Sequence, residues 1–194
     1  VSNILLNHSF IFLVYFFSGI CSKKIVELIT KDKLYSNIFL IFYLLYPYLL
    51  GHGFYNPKDI PFLFAWLLCT YISFKIFFKI YYRENISTFN ILLFSLSTSF
   101  LLSIRISGVL IFIQYIITFI IISNILKKSF FEMIKHYLGK ISLFCIAFLL
   151  LLIIFYPIFW KNPLLIYDSI FEAKNIQYGV CTLTMGKCMD SLDL

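Results

Sequence analysis

Six apolar runs follow one another along this 194-residue chain, each close to the roughly 20 residues that a helix needs to cross a hydrocarbon layer of about 30 Å. Backbone amides cannot stay unpaired in lipid, and the runs lack the polar alternation of barrel strands. The runs are residues 4–21, 35–50, 60–82, 89–104, 106–126 and 141–159. The predicted fold is therefore an all-α, polytopic transmembrane helical bundle with about six spans.

The overall composition excludes an ordinary soluble protein. Hydrophobic residues make up 61% of the chain and charged residues only 13%, and the mean hydropathy is +0.93. A soluble globular domain has about a quarter charged residues. The lipid bilayer is therefore the first predicted partner.

Basic residues predict how the chain lies in the membrane. They concentrate after the first, third and fifth runs, where 11 of the 16 are found: Lys23, Lys24, Lys31, Lys33, Lys75, Lys79, Arg83, Lys127, Lys128, Lys135 and Lys140. By the positive-inside rule these segments face the cytoplasm, so the links after the second and fourth runs face outward. The net charge of +7 is thus an orientation signal, and no nucleic-acid partner is predicted.

The predicted domains are a partial transmembrane domain over residues 1–160 and the start of an outward-facing loop or interfacial helical segment over 161–194. Because residue 1 is Val and no charged leader precedes the first run, we expect the chain to be a piece of a longer protein. Cys181 and Cys188 lie in the outward segment, where either a disulfide or two free thiols are consistent with the sequence.

The stretch GHGFYNPKDIPF, residues 51–62, is a polar island between two apolar runs. Asp59 is suited to capping the third helix, with Pro61 in its first turn and Lys58 binding a lipid headgroup. The alternative is that Asp59 holds a divalent cation or an acceptor hydroxyl. For His52 the two interpretations are a catalytic base and a histidine bonded to a backbone carbonyl.

Arg105 stands between two apolar runs in LLSIRISGVLIF. An unpaired guanidinium in hydrocarbon costs several kcal/mol, so Arg105 must find an anion. The candidates are a lipid phosphate, the Asp59 carboxylate and a substrate phosphate, which the planar guanidinium suits. The alternating topology predicts that Arg105 and residues 51–62 share the outward surface.

Ser95, Ser99 and Ser103 recur at intervals of four along the fourth run. This spacing places small residues on one helix face. Small polar residues let helices in a membrane approach closely, so the stripe predicts a tight helix contact and no substrate groove.

Three motifs follow one another along the chain: LLYPYLLGHGFYNPKDIPFLFAW, then LLSIRISGVLIF, then FYPIFWKNPLLIYDSIFEA. Together they resemble the dolichyl-phosphate-mannose protein mannosyltransferase-like membrane glycosyltransferases, especially the bacterial members. The resemblance covers about residues 35–175, and GHxFxNPKDxPF is its most specific motif.

The resemblance implies a GT-C fold that is larger than this chain, in the bacterial inner membrane, with a periplasmic active site. It implies transfer of a sugar from a polyprenyl-phosphate donor to an acceptor protein, lipid or glycan, with inversion. The resemblance gives Asp59 the place of a carboxylate that holds a metal or organises the site. By their chemistry, His52 joins Asp59 as a candidate catalytic residue, and Arg105 and Lys58 are the candidate ligands of the donor phosphate. Asp59 is also the candidate ligand for Mg²⁺ or Mn²⁺, and the implied catalytic base lies upstream of Val1.

Two other classes of protein are consistent with the same sequence. A transporter or flippase for lipid-linked substrates would place polar groups at mid-membrane, often in paired repeats. A polysaccharide polymerase or ligase would share the lipid-linked donor and the outward site. The gathering of polar groups at one boundary favours the glycosyltransferase over the transporter.

Overall fold

The computed structural model describes residues 2–156, Trp160, and two short strands, with side chains from Leu5 onward in the first part and backbone alone in the strands. The chain divides into two compact units, Val1–Tyr156 and Pro157–Leu194. In the second unit Cys181–Thr184 pairs antiparallel with Lys187–Asp190. The register sets Cys181 opposite Asp190 and Cys188 opposite Leu183. The interfacial helix, expected over residues 163–175, and the end of the sixth run lie outside the described residues.

Every regular secondary-structure element among residues 2–156 is a helix, as predicted. The α-helices are α1 (Ser2–Thr30), α2 (Lys33–Leu45), α3 (Pro47–Tyr55), α4 (Asp59–Tyr81), α5 (Thr88–Ile104), α6 (Ile111–Ile125) and α7 (Phe130–Phe155), with a 3₁₀-helix at Ile106–Leu110. Four helices, Leu5–Thr30, Asp59–Tyr81, Ile106–Ile125 and Phe130–Phe155, are long and apolar enough to cross a membrane. The bent pair α2 and α3 makes a fifth candidate, and α5 is a shorter apolar helix.

Two helices extend well beyond the predicted apolar runs. α1 continues to Thr30 and includes Lys23 and Lys24, and α7 starts at Phe130 and includes Lys135. Lysine is a good helix former, so a change from apolar to basic sequence does not end a helix. The sequence had suggested that these lysines lie in loops. In the structure they lie on helical extensions.

The second run is broken in the middle. Tyr46 has extended backbone angles, φ −65° and ψ 114°, and Pro47 starts α3 at an angle of 61° to α2. The residue before a proline is pushed away from helical angles, and proline lacks the amide that a continuing helix needs. The break gives residues 47–55 a short helix of their own.

The serine stripe packs α5 against α7, which confirms that prediction. The Ser99 hydroxyl lies 3.0 Å from the carbonyl oxygen of Phe148, and the Ser95 hydroxyl lies 3.3 Å from that of Phe144. Both serines are fully buried. Each of these two hydroxyls also contacts a carbonyl oxygen of its own helix, whereas Ser103 contacts only such a carbonyl, that of Phe100. Two of the three serines therefore join the helices.

α3 packs closely against α1 because residue 53 is a glycine. A Cβ atom built on Gly53 would lie 2.9 Å from two carbons of Tyr15, whereas one on Gly51 would meet nothing within 4 Å. Tyr15 is only 1% exposed, and its hydroxyl lies 2.8 Å from the Tyr43 carbonyl oxygen. The ring is therefore held from both sides, and α3 can reach it only without a side chain at residue 53.

We expect Gly53→Ala to destabilise the protein by about 1–3 kcal/mol, because overpacking a fixed ring forces a backbone shift. The matched variant Gly51→Ala should leave stability unchanged or raise it by about 0.5–1 kcal/mol, since alanine favours a helix over glycine. Thermal unfolding in detergent measures both variants. Equal effects at the two positions would contradict the close contact with Tyr15.

Candidate functional site

The loops of the first unit gather at two ends. Lys31 Nζ lies 3.4 Å from the Tyr82 hydroxyl, which joins the loop after α1 to the loop after α4. We call this the Lys31 end. At the other end, the loop after α3 meets the end of α5 through a contact between Asp59 and Arg105. We call this the Asp59 end, and the convergence predicted for its polar groups is present in the structure.

An ion pair joins the two motifs of the Asp59 end. Arg105 donates a hydrogen bond from Nη1 to Asp59 Oδ1, and the guanidinium also lies over the Phe62 ring, 5.8 Å from its centroid. The arginine and aspartate side chains are 49% and 55% exposed. Of the three anions considered for Arg105, the structure thus supplies the Asp59 carboxylate, and about half of the Arg105 side chain remains exposed.

Asn56 organises this end of the bundle, a role that the sequence prediction missed. Its amide nitrogen lies 2.8 Å from Asp59 Oδ2 and 2.9 Å from His52 Nδ1. Its amide oxygen accepts from the backbone amides of Asp59, at 2.9 Å, and Lys58, at 3.2 Å. The signal for this role is the Asn-Pro sequence itself, because an asparagine side chain that bonds the backbone two residues on is typical of such turns.

The prediction that Asp59 caps α4 is wrong in detail. Lys58 occupies the N-cap position, and Asp59 is the first residue of the helix. The Asn56 side chain accepts from the backbone amides of Lys58 and Asp59, the two residues at the start of the helix. The Asp59 carboxylate is thereby free for Arg105, while its place in the first turn still favours the negative charge. Pro61 lies in that first turn, as predicted.

His52 lies half-buried in the last turn of α3, with its ring centroid 4.5 Å from that of Tyr48. An amide nitrogen only donates, so His52 accepts from Asn56 at Nδ1 and carries its proton at Nε2. The bond to a backbone carbonyl that was considered for His52 is made by His8, whose Nδ1 contacts the Phe54 carbonyl. His52 is thus linked to Asp59 through one side chain.

Lys58 is exposed, and its ammonium group forms no ion pair with a carboxylate among residues 5–156. It follows Pro57 and directly precedes the ion-paired Asp59. A cation in that position is available to an anion that approaches Arg105 from outside.

The described residues at the Asp59 end do not suit a metal ion. Both oxygens of Asp59 already accept hydrogen bonds, from Arg105 and from Asn56. Nowhere in the described part of the chain do three His, Cys, Asp or Glu side chains come together. Because a divalent cation would have to compete with a guanidinium for a single carboxylate, no chemical step is assigned to a metal here.

Comparison of the chain with known protein families, curated proteins and solved structures found no match. The features that indicate a function are therefore the chemistry of the Asp59 end and the three motifs.

We expect Asn56→Ala to lower the free energy of unfolding by about 1–2 kcal/mol, because two backbone amides at the start of α4 lose their acceptor. The His52 ring should also change, since Nδ1 loses its donor, and its ¹⁵N chemical shift measures this directly. Asn37→Ala, at an exposed position in α2, is the matched control. If the two variants have the same stability and the same His52 spectrum, Asn56 is not the organiser of this end.

Proposed function

We propose that this protein is a membrane glycosyltransferase that moves a sugar from a polyprenyl-phosphate donor to an acceptor protein, lipid or glycan. The observation that supports this best is the half-exposed Arg105 guanidinium, held by Asp59 at one end of an apolar helical bundle. A donor with a long lipid chain and a phosphate head group needs both an apolar surface and a cation at its boundary. The six-span GT-C arrangement belongs to this proposal.

The donor phosphate binds to Arg105 and Lys58. Arg105 uses Nη1 for Asp59, so its remaining N–H donors can meet phosphate oxygens in the planar geometry that guanidinium favours. Lys58 adds an exposed positive charge beside the pair. As the bond between the sugar and the phosphate breaks, negative charge grows on the leaving phosphate, and fixed cations stabilise that charge.

Asp59 positions Arg105, and Asn56 positions Asp59 in turn. The ion pair fixes the guanidinium before the donor arrives, which lowers the entropy lost on binding. His52, with its proton at Nε2, can donate a hydrogen bond to a sugar or acceptor hydroxyl. In this proposal Asp59 acts on the donor through Arg105, and His52 acts on the substrate directly.

The proposed transfer is a single displacement at the anomeric carbon. The acceptor oxygen attacks the anomeric carbon and forms the new glycosidic bond, while the bond from that carbon to the phosphate oxygen breaks. The polyprenyl phosphate leaves with the electron pair, and the acceptor proton goes to a carboxylate that the resemblance assigns to an earlier outward loop. Attack opposite the leaving group inverts the anomeric centre.

The proposed location is the bacterial inner membrane, with the Asp59 end in the periplasm. The support is the charge distribution, since most of the basic residues lie toward the Lys31 end of the first unit. A polymerase or ligase would use the same donor class with a glycan acceptor, and a transporter would move the donor without breaking it.

We expect Arg105→Ala to raise the apparent KM for the donor by about tenfold to a hundredfold, because a charge-assisted hydrogen bond is worth about 1.5–3 kcal/mol. Arg105→Lys should recover only part of this loss, since an ammonium lacks the planar donor pair. The assay is transfer of labelled sugar from a polyprenyl-phosphate donor in membranes. Lys75→Ala is the control, and an unchanged donor KM in Arg105→Ala would limit Arg105 to anchoring α5.

We expect the double variant Asp59→Arg with Arg105→Asp to restore folding but not transfer. Either single change leaves like charges facing each other, whereas the double change rebuilds an ion pair with the phosphate-binding cation on the wrong helix. Folding is followed by size-exclusion chromatography in detergent, and transfer by the same donor assay. Restored transfer in the double variant would show that the pair is structural alone.

A further inference from the structure

A cavity of about 480 Å³ opens at the Lys31 end, opposite to the proposed sugar-transfer site. It lies between the loop after α4, the loop after α6 and the first turns of α7. Its lining contains four basic or titratable side chains, Arg83, Lys128, His136 and Lys140, together with Glu84. Even with His136 neutral, three cations face one carboxylate.

The cations of this cavity lack carboxylate partners within the first unit. The ion pairs among residues 5–156 are Lys24 with Glu27 and Arg105 with Asp59. Arg83, Lys128 and Lys140 belong to neither pair. A cluster of like charges without counter-ions repels itself, and an anion in the cavity would relieve that repulsion.

Backbone hydrogen bonds fix two of these residues at helix ends. At the end of α4 the Glu84 amide donates to the Lys79 carbonyl at 2.8 Å, and Arg83 has φ of 58°. At the end of α6 the Lys128 amide donates to the Ser123 carbonyl at 3.0 Å, and Lys127 has φ of 54°. This is the Schellman pattern, in which glycine is the usual left-handed residue. Here basic residues occupy the left-handed position at both ends.

An apolar groove of about 310 Å³ continues from the cavity along the helices. The groove and the cavity share Ile80, Ile86, Tyr137 and Lys140. Farther along, the groove is lined by apolar side chains from α4, α5, α6 and α7, among them Phe77, Phe94, Phe119 and Phe144. One end of the combined space is therefore cationic and the other is hydrocarbon-like.

We propose that this combined space binds an anionic phospholipid of the membrane leaflet at the Lys31 end. The phosphate head group sits among Arg83, Lys128 and Lys140, and an acyl chain lies in the groove. Basic recesses between membrane helices are suited to anionic head groups, and the adjoining groove selects a lipid over a soluble phosphate. This site is separate from the Asp59 end and does not depend on the proposed glycosyltransferase activity.

The test is a lipid titration of the purified protein in nanodiscs of phosphatidylcholine, with phosphatidylglycerol added in steps and bound lipid counted by native mass spectrometry. The triple variant Arg83→Gln, Lys128→Gln, Lys140→Gln should bind phosphatidylglycerol at least about tenfold more weakly than the parent protein. The control is Lys23→Gln, Lys75→Gln, Lys135→Gln, which removes the same charge from the same end outside the cavity and should bind like the parent.

Equal weakening in both triple variants would overturn the proposal, because binding would then follow net charge alone. Competition by free glycerol phosphate as strong as that by phosphatidylglycerol would also overturn it, because the groove would contribute nothing. If the cavity triple variant fails to fold, the single change Lys128→Gln at an exposed loop position replaces it. That variant should bind about threefold to fivefold more weakly, and unchanged binding counts against the site.

Discussion

Hydrocarbon offers no partner to an unpaired backbone amide, and this constraint governs the whole first unit. Within residues 2–156 the long apolar runs are helical, and the places where the helical pattern stops contain groups that supply their own hydrogen bonds. Pro47 separates α2 from α3, and Asn56 then supplies an acceptor to the two amides at the start of α4. The polar chemistry of the protein is concentrated at such interruptions.

The two ends of the bundle differ in how their charges are balanced. At the Asp59 end one carboxylate and one guanidinium neutralise each other, so a further anion can be bound at modest cost through the exposed part of Arg105. At the Lys31 end cations outnumber carboxylates in the cavity that Arg83 and Lys140 line. The first arrangement suits a reacting phosphate that must arrive and leave, and the second suits a resident anionic lipid.

Glycines and serines decide how closely the helices approach. Gly53 lets α3 lie on the Tyr15 ring, and that contact sets the position of His52 in the same turn. Ser95 and Ser99 let α5 approach α7, and their hydroxyls donate hydrogen bonds to carbonyl oxygens of α7. Since Arg105 is the residue that ends α5, the packing of that helix sets where the guanidinium lies. The candidate site is thus supported by contacts several turns away.

The helical class follows from the residues alone, because long apolar runs permit no other backbone in lipid, and so does the shared end of Asp59 and Arg105, because alternate loops of a bundle meet at one end. Their pairing follows from the tertiary structure, since Arg105 had three possible anions and the choice depends on a distance across two helices. The tertiary structure also decided that Asn56, and not Asp59, takes the capping bonds. Both residue types are favoured at helix starts, so what distinguishes them is the path of the chain between α3 and α4, which brings the Asn56 oxygen to the amides of Lys58 and Asp59.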